Sequence, residues 1–282
     1  MNKPDLVEFF GSYTSWKIDY NTWVINFMNG SQNMYLLEGK EKALLIDTGW
    51  GAGNLREYVE KLTDKPIIVV NTHYHPDHAG GNGEFEEVYM SEGEKIDETS
   101  LKGKLPCNIS KLPHPNYHKK YLKDNDTIEL GERSVKVIDV LPAHCNSSLF
   151  FFDETHGMFF CGDELECAQV LLFDNSNNPD APYDVKARLD NFKKNNQNIK
   201  TLSDKIKYLL PSHNGGPIAL SYIDDAIELV SHIYNGDAII EDKLNHPFIE
   251  NEDPKAPELC RVRWNNVSIF IKKKDVMSVY GK

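Results

Sequence analysis

Residues 71–83 read Asn-Thr-His-Tyr-His-Pro-Asp-His-Ala-Gly-Gly-Asn-Gly, so that His73, His75, Asp77 and His78, all able to bind a metal ion, fall within six positions. Neutral imidazole is the commonest biological ligand for zinc and similar metals, and a carboxylate adds an anionic oxygen donor. His73 and His75 are two apart; on an extended segment they point to one side and can converge on one ion. Asp77 and His78 are adjacent in a turn after Pro76 and cannot easily complete that ion's shell, which predicts a second ion beside the first. The apolar run 66–70 just upstream reads as a fully buried strand, and Gly80-Gly81 allow close backbone approach after it. The chain must therefore build a rigid sheet whose strand end presents a donor-rich loop.

The rest of the sequence supplies more donors in the same setting. Strand-like stretches at 135–140, 158–161 and 206–210 each run into a small-residue loop, and those loops carry His144, Asp163 and His213. Further strands are expected at 23–27 and 34–37 around Asn29-Gly30-Ser31, at 43–46, 85–90 and 127–130, at 148–152, and across 262–271. The opening reads as an antiparallel meander ending at Asp47, a turn residue that could also orient a ligand histidine. Helical spacing marks 54–62, 185–194 and 218–234, and Ser91 with Glu94 suggests a capped short helix over 91–101. Segment 103–124 has no clear period; it reads as a surface loop with a tail helix or as a substrate wall, with His114 and His118 as lesser donors.

A chain of 282 residues, 40% hydrophobic and 26% charged, has globular composition, and an α/β chain of this length is expected to form one domain over 1–282. Substrate-wall insertions are expected at 103–124 and 174–183. A formal charge of -12 argues against nucleic acid as partner and leaves a small-molecule substrate. No stretch reaches the roughly 20 apolar residues that cross a bilayer, so no membrane association is expected. The first ten residues lack a basic leader and an apolar core, and five cysteines without regular spacing suit a reducing compartment; the expected location is cytoplasmic. Cys145 and Cys161 are expected as buried packing residues.

The set His73, His75, Asp77, His78, His144, Asp163 and His213, in this order and at strand ends, resembles the metallo-β-lactamase superfamily across residues 23–235. The resemblance implies an α/β fold, a four-layer αβ/βα sandwich with the metals at one edge of two central sheets. Carried over, it places one ion on His73, His75 and His144 and a second on Asp77, His78 and His213, with Asp163 bridging and Asp47 orienting. Asp163 stands where zinc β-lactamases commonly have Cys, and His75 where flavo-diiron proteins usually have Glu. The loop at His144 reads His-Cys-Asn-Ser instead of the commoner His-Thr-x-Gly. The run Thr-His-x-His-x-Asp-His-Ala-Gly-Gly-Asn is similar to the glyoxalase II and lactonase side of the superfamily. That similarity implies a hydrolase of an ester, thioester or lactone using water activated by two divalent ions, zinc foremost, with iron or manganese as alternatives. Asp77 could in addition accept a proton. A phosphodiesterase and an iron-dependent persulfide dioxygenase are the alternative functions.

Overall fold

The computed structural model describes residues 11–27, 32–92, 117–167, 169–172, 183–242 and 258–282. The chain begins with strands β1 (Thr14–Asp19), β2 (Thr22–Phe27), β3 (Gln32–Glu38) and β4 (Ala43–Ile46), the expected meander preceded by one more strand. Helix α1 (Leu55–Glu60) follows, capped by the Asn54 side chain, which accepts from the Glu57 amide at 3.0 Å. Strand β5 (Ile67–Val70) lies parallel to β4; only Val69 and Val70 are fully buried, so the strand is less enclosed than its sequence suggests. The one-turn helix α2 (Pro76–Ala79), β6 (Glu87–Ser91) and β7 (His118–Leu122) complete a seven-stranded sheet in the order β1 to β7.

Strands β8 (Thr127–Glu129), β9 (Ser134–Val140), β10 (Ser148–Asp153), β11 (Met158–Gly162) and β13 (Tyr208–Pro211) form a second sheet in the order β13-β11-β10-β9-β8. The two sheets face each other. Strand β10 shows how: Leu149 and Phe151 join Tyr35, Leu37, Leu44 and Val70 between the sheets, while Phe150 and Phe152 enter the outer core. Alternation across the pleat, with apolar cover on both faces, explains why its sequence is an unbroken apolar run. The outer core is closed by α3 (Val185–Lys200) and α4 (Ser221–Asn235), whose Leu189, Phe192, Ile223, Leu229 and Val230 are buried there. On the far side of the first sheet, Leu55 and Val59 of α1 cover Met34, Leu36 and Leu45. The resulting order, helix, sheet, sheet, helix, is the expected four-layer α/β sandwich.

A third sheet, β12 (Val170–Leu171), β16 (Val267–Lys272), β15 (Leu259–Trp264) and β14 (Ile239–Asp242), joins the outermost layer. The single strand expected over 262–271 is thus a hairpin, folded at Asn265-Asn266 with Asn265 in the left-handed region at φ 49°. Asp225 of α4 accepts from both asparagine amides, at 3.0 and 2.8 Å. The short helix α5 (Lys273–Met277) follows. In segment 103–124 the described part is strand β7, not a tail helix; the rest of it, the 91–101 helix beyond Glu92, and 174–182 lie outside the described residues. Arg133, in the turn before β9, ties the two central sheets: it is 5% exposed and donates to Asp153 of β10 at 2.8 Å, to Thr22 Oγ1 of β2 at 2.7 Å, and to the carbonyls of Tyr20 and Glu38 at 2.8 and 3.1 Å.

Candidate metal centre

All seven candidate donors follow the C-terminal ends of strands: His73 to His78 after β5, His144 after β9, Asp163 after β11, and His213 after β13. They come together as two groups. His73, His75, His144 and Asp163 form one, and Asp77, His78, His213 and Asp163 the other; within each, the donor atoms all lie within 4.8 Å of one another. In the first, His75 Nδ1 is 3.0 Å from both His73 Nε2 and His144 Nε2. In the second, His213 Nε2 is 3.2 Å from His78 Nε2 and 3.1 Å from Asp77 Oδ2. One oxygen, Asp163 Oδ2, is 3.8 and 3.6 Å from His73 and His144 and 3.3 and 3.4 Å from His78 and His213.

These spacings fit a cation. Donors about 2.1 Å from a tetrahedral ion stand about 3.4 Å apart. The second oxygen of Asp163, Oδ1, is buried and unpartnered among the described residues, a costly state for a carboxylate unless a charge completes it. His118 lies exposed on β7, away from both groups, and His114 lies outside the described residues. Cys145 and Cys161 are buried, as expected.

The orientation of the imidazoles is set from behind. Asp47 directly follows β4, with φ 65°, and is 1% exposed. Its Oδ2 accepts from His78 Nδ1 at 2.8 Å, which turns His78 Nε2 toward the second group. Oδ2 also accepts from Thr72 Oγ1 at 2.8 Å, and that hydroxyl in turn accepts from His73 Nδ1 at 3.1 Å, so the same carboxylate directs Nε2 of His73 into the first group. His144 Nδ1 donates to the Leu171 carbonyl at 2.8 Å. The loop after β5 is held close to the β4 end because Gly80 and Gly81 lack side chains: a Cβ there would lie 2.6 Å from the Trp50 carbonyl oxygen and 2.4 Å from that of Thr48. Asn33 and Tyr35 of β3 secure the His213 loop, Asn33 N donating to Ser212 O at 2.7 Å and Tyr35 OH to Pro211 O at 2.5 Å.

Electrostatics divide the two groups. Burial, helped by the neighbouring imidazoles, holds His73 well below the usual histidine range and His75 down at about 3, and burial also lowers His144. Burial pushes His78 and His213 the same way, but Asp163 and Asp77 outweigh it and raise both well above that range. Burial would raise the Asp77 and Asp163 carboxyls; His78 and His213 prevail, holding Asp77 at about 2 and Asp163 well below the carboxylate range. Two further acids carry no expectation from the sequence. Burial pushes Glu164 up to about 7 and, with Asp163, Glu166 up to about 8. Glu166 accepts from the Asn214 side chain at 2.8 Å and so steadies the turn after His213. Their signal is the run Asp163-Glu164-Leu165-Glu166-Cys167, acids in an apolar setting with no cation beside them.

Residues 28–213 match the family model described as the metallo-beta-lactamase superfamily. Acyl-coenzyme A thioesterase MBLAC2 of Homo sapiens is similar, 25% identical over 214 residues that cover 64% of this chain and 72% of that protein. Hydroxyacylglutathione hydrolase of Hyphomonas neptunium is 33% identical over 137 residues, 47% of this chain and 48% of that one. Among solved structures, a metallo-beta-lactamase from Pontibacter korlensis matches with a TM-score of 0.56 at 20% identity, covering 78% of this chain and 99% of its own. The sec-alkylsulfatase Pisa1 from Pseudomonas sp. matches with a TM-score of 0.60 at 17% identity, over 80% of this chain and 43% of that one. At these identities the structural matches speak for the fold.

Proposed function

Because this chain belongs to the metallo-β-lactamase superfamily and is a metallohydrolase by fold and kinship, we propose that it hydrolyses thioesters with two divalent ions. His73, His75 and His144 would hold one ion, Asp77, His78 and His213 the other, and Asp163 both. The observation that carries this reading is the position of Asp163 Oδ2, within 3.3 to 3.8 Å of imidazoles from both groups. Zinc suits the nitrogen-rich donor set best, and iron or manganese could occupy the same donors. The named relatives favour a thioester over an oxygen ester or lactone, since both hydrolyse acyl groups carried on sulfur.

The ions, when bound, supply Lewis acidity toward the substrate carbonyl and a lowered pKa for water. The protein's own groups do the rest. Asp47 fixes the ring of His78 and, through Thr72, the tautomer of His73, so their Nε2 atoms are aimed into the two groups before an ion arrives. Asp77, held near 2, is a weak proton acceptor and serves better as an anionic donor than as a base. A thiol leaving group, with a pKa of about 8.5, departs without strong acid assistance. A mononuclear iron dioxygenase would need only the first group, so the complete second group favours hydrolysis.

The test is reconstitution of metal-free protein with zinc, manganese or iron(II). Each form is then assayed for thiol release from an acyl-coenzyme A and an acylglutathione, beside a lactone and a phosphodiester. Thiol release with two ions per chain is expected. Hydrolysis confined to the lactone or the phosphodiester would overturn the thioester assignment, and saturation at one ion would overturn the two-ion assignment.

A further inference from the structure

We infer that Arg188 is a positioning residue for His144, so that helix α3 controls loading of the first donor group independently of the second. The inference rests on the two-ion metal centre proposed for this chain. His144 lies in the loop between β9 and β10, whose backbone pairs with neither sheet, so its carbonyls need partners from elsewhere. Helix α3 provides them from residues 188, 191 and 195, spaced three and four apart along one face. Arg188 Nη1 donates to the carbonyls of Ala143 and Cys145, each at 2.9 Å, on either side of His144, and Nη2 donates to the Asn146 side chain. Asn191 donates to Pro142 O at 2.8 Å, and Asn195 donates to Leu141 O at 2.9 Å while accepting from Leu141 N at 3.0 Å.

From the other side Glu164 accepts from His144 N at 3.4 Å and from Ser148 Oγ at 3.0 Å. Among the described residues Arg188 forms no ion pair; its hydrogen bonds go to neutral oxygens. A planar guanidinium spanning the carbonyls before and after residue 144 fixes the direction of its Cα–Cβ bond, and Leu171 O then fixes the ring. Lysine's one nitrogen could serve both carbonyls, as Nη1 does, but has no second nitrogen set in the same plane to hold the Asn146 side chain as Nη2 does, so it fixes the loop less completely. The second group draws on other supports: Asp47 for His78, and Asn33 and Tyr35 for the His213 loop.

The experiment titrates metal-free wild type, Arg188→Ala, Arg188→Lys, His144→Ala and His213→Ala with cobalt(II), following visible absorption, with near-ultraviolet circular dichroism to confirm folding. His144→Ala and His213→Ala supply the spectra of chains with one group impaired. In Arg188→Ala the first group's Kd is expected to rise at least about tenfold, the usual scale for losing a residue that orients a ligand, while the second changes less than about twofold. Arg188→Lys should fall short of wild type at the same group, and low-millimolar guanidinium should restore part of the binding in Arg188→Ala but none in His144→Ala. Wild-type affinity at the first group in either folded Arg188 variant, or equal weakening at both groups, overturns the inference. If His144→Ala itself binds cobalt as wild type does, the metal-centre reading fails instead.

Discussion

Asp163 concentrates the charge balance of the centre in one side chain. Asparagine keeps its size but removes the anion that holds His78 and His213 in place, whereas burial keeps His73, His75 and His144 as neutral donors. On the two-ion reading, Asp163→Asn should empty the second group more than the first and cut turnover at least about tenfold, or roughly 1.4 kcal/mol of barrier. Metal analysis with steady-state kinetics decides it, and two ions held at wild-type affinity with unchanged kcat would refute the shared role. Proton bookkeeping separates the groups again. A cation enters the first without displacing protons near neutral pH, because burial already keeps those imidazoles neutral. Loading the second must expel protons from His78 and His213, whose affinity for them is raised. Affinity there should therefore climb with pH until the raised pKa is passed, by about tenfold per unit for each proton released, while the first group stays nearly flat. Calorimetry in buffers of different ionisation enthalpy counts the protons, and none released with the second ion would contradict the assignment. These seven residues are legible in the sequence because each follows an apolar strand. Glu164 and Glu166 leave only the trace of acids in an apolar run, since an acid's burial depends on what packs over it, and Asn195 and Asn214 are only partners once the loops they hold exist.

Helix α3 shows where propensity gives way to tertiary contact. Its sequence predicts a stop at Lys194, before Asn195-Asn196-Gln197-Asn198, yet it runs to Lys200 because Asn195 spends its side-chain hydrogen bonds on the Leu141 backbone and Ile199 is buried in the outer core. Phe192, fully buried under the second sheet, anchors that extension. Phe192→Ala should cost about 3–5 kcal/mol, measured by urea unfolding of metal-free protein; a loss below about 1 kcal/mol would mean the helix is held chiefly by its polar ladder. The strands divide in an instructive way. Strand β4 matches its sequence expectation residue for residue, and β2, β3, β10 and β11 come within a residue or two, because apolar cover on both faces writes continuous runs; β9 does as well through alternation, Val135, Val137 and Val140 buried and Lys136 and Asp139 exposed. The strands without a sequence signal, β1, β7, β12 and β14, are all edges of their sheets. Of these, β1, β7 and β14 carry lysine or acid where a central strand carries valine, and are exposed on much of their surface, as His118 to Tyr121 of β7 are; β12, the two residues Val170-Leu171, is too short to show a pattern.

At the scale of the whole molecule, the donors come from both central sheets: His73 to His78 follow a strand of the first, and His144, Asp163 and His213 follow strands of the second. Ions bound by both sets would join the sheets along one edge, so their removal should lower the unfolding free energy by about 4 kcal/mol for a cation present at a thousand times its Kd, and the melting temperature with it. Hydrogen exchange after chelation locates the loss: protection should fall at 71–79, 141–146 and 211–214 but persist at 20–22 and 130–134, and a uniform fall would contradict this. The persistent segments are those gathered by Arg133, whose bonds to Asp153, Thr22 and the carbonyls of Tyr20 and Glu38 lie at one end of β9, while His144 follows the other. Seven residues of strand, roughly 23 Å, separate the two ends. The body is bound like a book, with Arg133 at the spine and the ions as the clasp. Opened by loss of the ions, it would part at the donor loops while the Arg133 end stays closed, so the scaffold outlasts the site it carries.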